Sequence, residues 1–337
     1  MNIRAGFLFT LQIALMTLIL GVPLAGQAVK EKVPLPAFEV GQIFIAGNQL
    51  SDPRGNVVGV TIPLKRAGRL FLLEATIDHV TGNFILDTGA SGLVLNKTYF
   101  RNAICVPDEE GGGVTGSVGE VCRTTVKHMQ VGELMYQNIS ADVTPLGHLE
   151  NRRGVKILGL FGMSMLKNLE LVIDLRNNEL QLLKLDKTGN RLEVNFPKVK
   201  FDLVQKVEEY RNIMFVKATV GGKILDFCLD TGAESNVISI DAPKKVLNSI
   251  TITRRSSLNG VGTAEGEVLY GTLNDFILGA RQISSMETIL CSLTAMSRKY
   301  AYPIDGMLGY DFFAKGKIYI NLVKKEMGVC LKQEEKP

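Results

Sequence analysis

One stretch of this chain is written twice. Phe84-Ile85-Leu86-Asp87-Thr88-Gly89-Ala90-Ser91 returns as Phe227-Cys228-Leu229-Asp230-Thr231-Gly232-Ala233-Glu234. Ahead of each copy, Ala75-Thr76-Ile77 matches Ala218-Thr219-Val220. The correspondence then runs on at a spacing four residues larger. Gly113-Val114 matches Gly260-Val261, Gly159-Leu160-Phe161-Gly162 matches Gly306-Met307-Leu308-Gly309, and Leu171 to Leu175 matches Ile318 to Leu322. A collinear repeat of this length, broken by one short insertion, is read as a duplicated domain. The 337 residues are long for a single domain and comfortable for two.

Each copy reads as strands. Leu70 to Asp78 and Ile213 to Val220 are apolar and β-branched and end at turn formers. Leu169 to Leu183 folds back around Arg176-Asn177-Asn178, and Lys317 to Cys330 does so around Lys324-Lys325, as hairpins do. Helical patterning is confined to Asp241–Leu247 and the region Met163–Leu166. The polar stretch from Asp186 to Asn212 reads as a linker plus the first strand of the second copy. The expectation is a mainly β body in two lobes, residues 29–186 and 187–337.

Asp-Thr-Gly alone is a common turn sequence. Here it occurs twice at equivalent places, each time delivered by three apolar residues and followed later by two apolar residues and a glycine. That constellation resembles the aspartic peptidases, and the alanine after each Asp-Thr-Gly resembles the retropepsins more than pepsin. The resemblance covers about residues 60 to 331. It implies two homologous β-barrel lobes with the active site between them, built from one chain as in pepsin-like enzymes. It further implies that Asp87 and Asp230 form the catalytic dyad of an endopeptidase. Two carboxylates side by side cannot both ionise, so the pair holds one proton and activates a water held between them. Thr88 and Thr231 are expected to hydrogen-bond across the lobe interface. Gly89 and Gly232 are expected to let backbone N–H groups approach the carboxylates.

The glycine-rich loop 111–119, with Gly113, Val114 and Gly116, lacks the Gly-Lys-Ser/Thr ending of a phosphate loop. Its position in the repeat, matched by Gly260, Val261 and Gly262, fits a flap over the substrate, with a plain surface loop as the alternative. Neither flap carries a tyrosine, which again favours the retropepsin likeness. The sequence departs from the retroviral pattern after the packing loops. Met163-Ser164 and Tyr310-Asp311 stand where those enzymes place an arginine, so the resemblance supplies no ion pairs there.

Composition narrows the alternatives. A net charge of +4 with scattered Lys and Arg argues against a nucleic-acid partner. Three histidines without ligand spacing and no Cys-x-x-Cys pair leave a metal or other cofactor unsupported. The N-terminus has Arg4, an apolar run from Ala5 to Leu20, Pro23 and small residues to Ala28. That is the layout of a signal peptide (residues 1–28), with an uncleaved membrane tether as the alternative. Either way the body is expected to be exported, periplasmic or secreted, and to act as a monomer on polypeptide. Of the five cysteines, Cys105 and Cys122 flank the glycine-rich loop, and either a disulfide there or buried thiols fit. Asn96-Lys97-Thr98 and Asn138-Ile139-Ser140 match the glycosylation acceptor. The competing function is a non-catalytic module that holds peptide in the same cleft. Its mark would be loss of an aspartate or threonine, and both copies keep both.

Overall fold

The computed structural model describes residues 53, 57–101, 106–107, 122–193, 196–258, 266–283 and 285–332. Both flap segments carrying Gly113, Val114, Gly116, Gly260, Val261 and Gly262 lie outside the described residues, as do Cys105 and the expected signal segment. Among the described residues the fold is mainly β, in two lobes joined by a shared sheet.

The first lobe is built on an eight-stranded sheet that begins with Lys65–Ala67 and Leu70–Ile77. The second is built on a ten-stranded sheet around Ile213–Val220 and Lys223–Leu229. A third sheet of six strands takes members from both halves of the chain. Gly59–Pro63, Leu169–Asp174 and Glu179–Lys184 come from the first half, and Leu203–Lys206, Gly316–Asn321 and Glu326–Leu331 from the second. Its centre is the antiparallel pair in which Leu171 faces Ile320. The two hairpins read from sequence are both in this sheet, with Asn178 and Lys325 at positive φ in their turns. The stretch read as linker plus a first strand contributes Leu203–Lys206 to the same sheet.

The same local wiring recurs in each lobe. In the first, Val80–Leu86 pairs parallel with Ile157–Phe161, which pairs antiparallel with Leu93–Asn96. In the second, Lys223–Leu229 pairs parallel with Gly306–Leu308, which pairs antiparallel with Asn236–Ser239. A later strand thus slots between the strand that enters each aspartate loop and the strand that leaves it. The loop is held from both sides. Packing under it is apolar throughout: Phe84, Leu86, Phe161, Phe227, Leu229 and Leu308 are fully buried. At roughly 1.5–3 kcal/mol per buried large side chain, this layer fixes the loops against the core.

Helices are short. Lys244–Leu247 and the 3-10 turn Met163–Leu166 fall where the sequence pattern placed them. Gly147–Arg153, Thr294–Tyr300 and Tyr310–Phe313 do not, because one or two turns are too few to show a 3.6-residue period. No helix among the described residues is long and apolar enough to cross a membrane.

Candidate active site

Asp87 and Asp230 stand at the ends of their strands and meet where the lobes meet. Both are buried, Asp87 4% exposed and Asp230 fully enclosed. Oδ1 of Asp87 accepts the backbone N–H groups of Gly89 at 2.9 Å and Ala90 at 3.1 Å. Oδ1 of Asp230 accepts the N–H of Gly232 at 2.8 Å. A Cβ on Gly89 would lie 2.6 Å from Asp230 Cγ, and one on Gly232 would lie 2.7 Å from Asp87 Cγ. Each loop therefore presses its glycine against the opposite carboxyl group, at a distance no side chain permits. The packing also shows that the two carboxyls face each other.

The threonines lock this arrangement. Thr88 Oγ1 donates to Leu229 O at 2.8 Å and accepts the Thr231 N–H at 3.0 Å. Thr231 Oγ1 donates to Leu86 O at 2.8 Å and accepts the Thr88 N–H at 3.0 Å. Four hydrogen bonds thus close a buried ring across the lobe interface, and each runs from one lobe to the other.

Electrostatics follows from burial. Asp87 is pushed well above the ordinary carboxylate range, first by burial and then by the neighbouring Asp230 charge and a hydrogen bond with that carboxyl. Burial likewise raises Asp230, against the opposing pull of the Gly232 N–H and the Asp87 hydrogen bond. The pair titrates as a unit and favours a state with a proton on board. Oδ2 of Asp230 is buried with no hydrogen-bond partner among the described residues. A buried carboxylate oxygen left in that state is costly, so this atom favours a donor supplied from the cleft.

Residues 73–168, around Asp87, match the family described as "gag-polyprotein putative aspartyl protease". The match lies within the first lobe and includes Asp87 but not Asp230. Among solved structures, the chain is similar to the aspartic proteinase of Irpex lacteus, at 12% identity and a TM-score of 0.48. That similarity covers 82% of this chain and 98% of that one. No curated protein sequence matches the chain.

Beyond the aspartyl-protease loops, the structure adds residues that the sequence alone did not single out. Arg69 of the first lobe donates to both carboxylate oxygens of Asp311, at 3.1 and 3.0 Å, and to Glu287 at 2.8 Å. Arg153 pairs with the buried Glu234. Lobe-bridging ion pairs are therefore present although the packing loops carry no arginine. Asp311 is raised to about 6, first by burial and against the pull of Arg69.

Other sequence features resolve differently. Asn96 is fully buried with its amide donating to Ile157 O, so it is not presented as a glycosylation acceptor. Cys228 and Cys291 are buried free thiols, and burial pushes Cys291 up to about 12. Pairing of Cys105 with Cys122 lies outside the described residues. Among the described residues no cluster of three or more His, Cys, Asp or Glu is arranged to hold a metal ion.

Proposed function

We propose that the chain is an aspartic endopeptidase whose Asp87 and Asp230 together hydrolyse peptide bonds. The observation that carries the reading is the pair of buried, mutually facing carboxyls with raised affinity for a shared proton, held by a symmetric ring of threonine hydrogen bonds. Water enters between the carboxyls. The ionised member takes one water proton as the oxygen attacks the carbonyl carbon, and the protonated member gives its proton to the carbonyl oxygen. The tetrahedral intermediate collapses as the C–N bond breaks: the proton taken from water passes to the leaving amine, and the hydroxyl formed from the carbonyl oxygen returns its proton to the aspartate that had supplied it. The dyad then holds one proton again. Backbone N–H groups of Gly89, Ala90 and Gly232 keep the negative charge in place without reorganisation.

An extended polypeptide lying across the lobe junction is the substrate, under flaps formed by residues 111–119 and 258–266. The enzyme acts as a monomer, without metal or cofactor, after export by its N-terminal segment. Purified full-length chain incubated with denatured casein across pH 3 to 8, with and without a statine-type inhibitor, tests the reading. Cleavage that is blocked by the inhibitor and lost in Asp87→Asn and Asp230→Asn supports it. A folded protein that binds the inhibitor and cleaves nothing would instead identify the non-catalytic peptide-binding module.

A further inference from the structure

The two aspartate loops are anchored differently. Glu234, directly after Asp230-Thr231-Gly232-Ala233, is 1% exposed, and its carboxylate is gripped by the first lobe on both oxygens. Oε1 accepts the backbone N–H of Arg69 at 3.2 Å, and Oε2 takes the Arg153 guanidinium. Arg69 Nη1 also donates to the Glu234 carbonyl at 3.4 Å and to Asp311, while Nη2 holds Glu287. Asp311 in turn accepts from the hydroxyl of Ser235 at 3.3 Å. The contact is close-fitted. Gly68 sits at φ +65°, and a Cβ there would lie 2.9 Å from Arg153 Nη1 and 3.1 Å from Glu234 Oε1.

The opposite side of the lobe junction has none of these charges. Strands Leu70–Ile77 and Ile213–Val220 correspond, so Asn212 stands where Arg69 would. Helices Gly147–Arg153 and Thr294–Tyr300 correspond, so Tyr300 stands for Arg153. Ser91 stands for Glu234. Matching of the strands that pair with Leu93–Asn96 and Asn236–Ser239 puts Ser140 opposite Glu287. The glycines Gly162 and Gly309 put Ser164 opposite Asp311. Five charged residues on one side face five uncharged counterparts on the other. On that side Asn212, in Arg69's place, lines a cavity of about 250 Å³ with Met163, Lys167, Glu209 and Leu322.

We propose that Arg69 and Arg153 are positioning residues that hold the Asp230 loop against the first lobe, so that the threonine ring shared by both loops is joined by an ion-paired anchor on the Asp230 side alone. The inference rests on the proposed peptidase reading. A charge on Glu234, buried and four residues from Asp230, is costly without its partner, and the loop must shift to find water if Arg153 is removed. The Asp87 loop has no such dependence. Displacement of the Asp230 loop changes the separation of the carboxyls, which sets both the rate and the proton affinity of the pair.

The test uses the purified full chain with a quenched peptide that the unaltered enzyme cleaves. Arg153→Met and Arg69→Gln are compared with Asn212→Ala on the opposite side and with the double variant Arg153→Met/Glu234→Gln. Arg153→Met is expected to lower kcat at least tenfold with KM within about threefold, and to move the limbs of the pH–rate profile. The double variant, which removes the stranded charge, is expected to recover most of kcat, and Asn212→Ala to change neither. Hydrogen exchange at residues 229–235 against 86–92 gives a readout that needs no activity: Arg153→Met should deprotect the former and spare the latter. Lower thermal stability with kcat, KM and pH limbs unchanged overturns the proposal, as does equal deprotection of both loops. If the chain cleaves nothing while exchange changes at 229–235 alone, the peptidase reading fails and the one-sided anchoring stands.

Discussion

Replacing Thr88 by valine removes one hydroxyl and keeps the shape. Two hydrogen bonds of the ring go with it, the one to Leu229 O and the one from the Thr231 N–H. Both stranded groups are deep in the lobe interface, where Thr88 and Thr231 are fully buried. A buried polar group left without a partner costs about 1–3 kcal/mol, so the loss is roughly 2–6 kcal/mol. Against a total stability of roughly 5–15 kcal/mol, that is a large fraction. Thr88→Ser keeps the oxygen and should stay within about 1 kcal/mol of the unaltered chain. Urea unfolding at fixed pH gives the comparison, with an unchanged slope required for the difference in midpoint to count as stability. The remaining two bonds, which use the Thr231 hydroxyl, survive in Thr88→Val, so the lobes stay joined and the effect is graded. If valine costs less than about 1 kcal/mol, or serine costs as much as valine, the ring does not hold the interface.

Asp87→Asn and Asp230→Asn should each lower peptide cleavage at least tenfold, a change of about 1.4 kcal/mol in the barrier or more, while raising the unfolding midpoint at neutral pH. Both aspartates and Asp311 have folded affinities for protons above their ordinary values, with Asp311 at about 6. Their contribution to stability is therefore full below the ordinary carboxylate range and is lost as pH rises through the raised values. Urea midpoints should fall between about pH 4 and 8, and Asp87→Asn should flatten that fall; midpoints that climb over this range would refute the assignment. Expressed separately, residues 29–186 and 187–337 should each be inactive, because the six-stranded sheet and the dyad both need the two halves. Sedimentation coupled to a cleavage assay checks this, and activity confined to a dimer of the full chain would contradict the single-chain dyad.

The aspartate loops were legible because the chain states them twice, each behind a short apolar strand. The hairpins at Asn178 and Lys325 were legible for a similar local reason, since turn chemistry and alternation lie within a dozen residues. The charged side of the lobe junction was not. Arg69 meets residues 165 and 242 positions away, and Arg153 meets one 81 positions away. Nothing in local pattern brings them together. The one available signal was divergence between the copies, with Glu234 against Ser91 and Asp311 against Ser164, which marks a position but not its partner. The short helices escaped because four to seven residues give no period to read. Burial of Asn96 was also invisible, since an acceptor tripeptide carries no information about the carbonyl its amide finds.

The sheet shared by the two halves has a consequence for the order in which the chain can finish folding. Its central strand Leu169–Asp174 is paired on one side by Glu179–Lys184, which follows at once, and on the other by Gly316–Asn321, which arrives almost at the end of the chain. During synthesis at about 5–20 residues per second, the first half therefore waits several seconds or more with one flank of an apolar strand open. Leu171 and Ile173 lie on that flank, and an open edge of this composition pairs readily with any other strand, including the same strand of a neighbouring nascent chain. Misassembly should concentrate there: two growing chains exchange or stack their Leu169–Asp174 strands before Gly316–Asn321 is made. Closing that edge falls to Gly316–Asn321, the strand that faces Leu171 and Ile173.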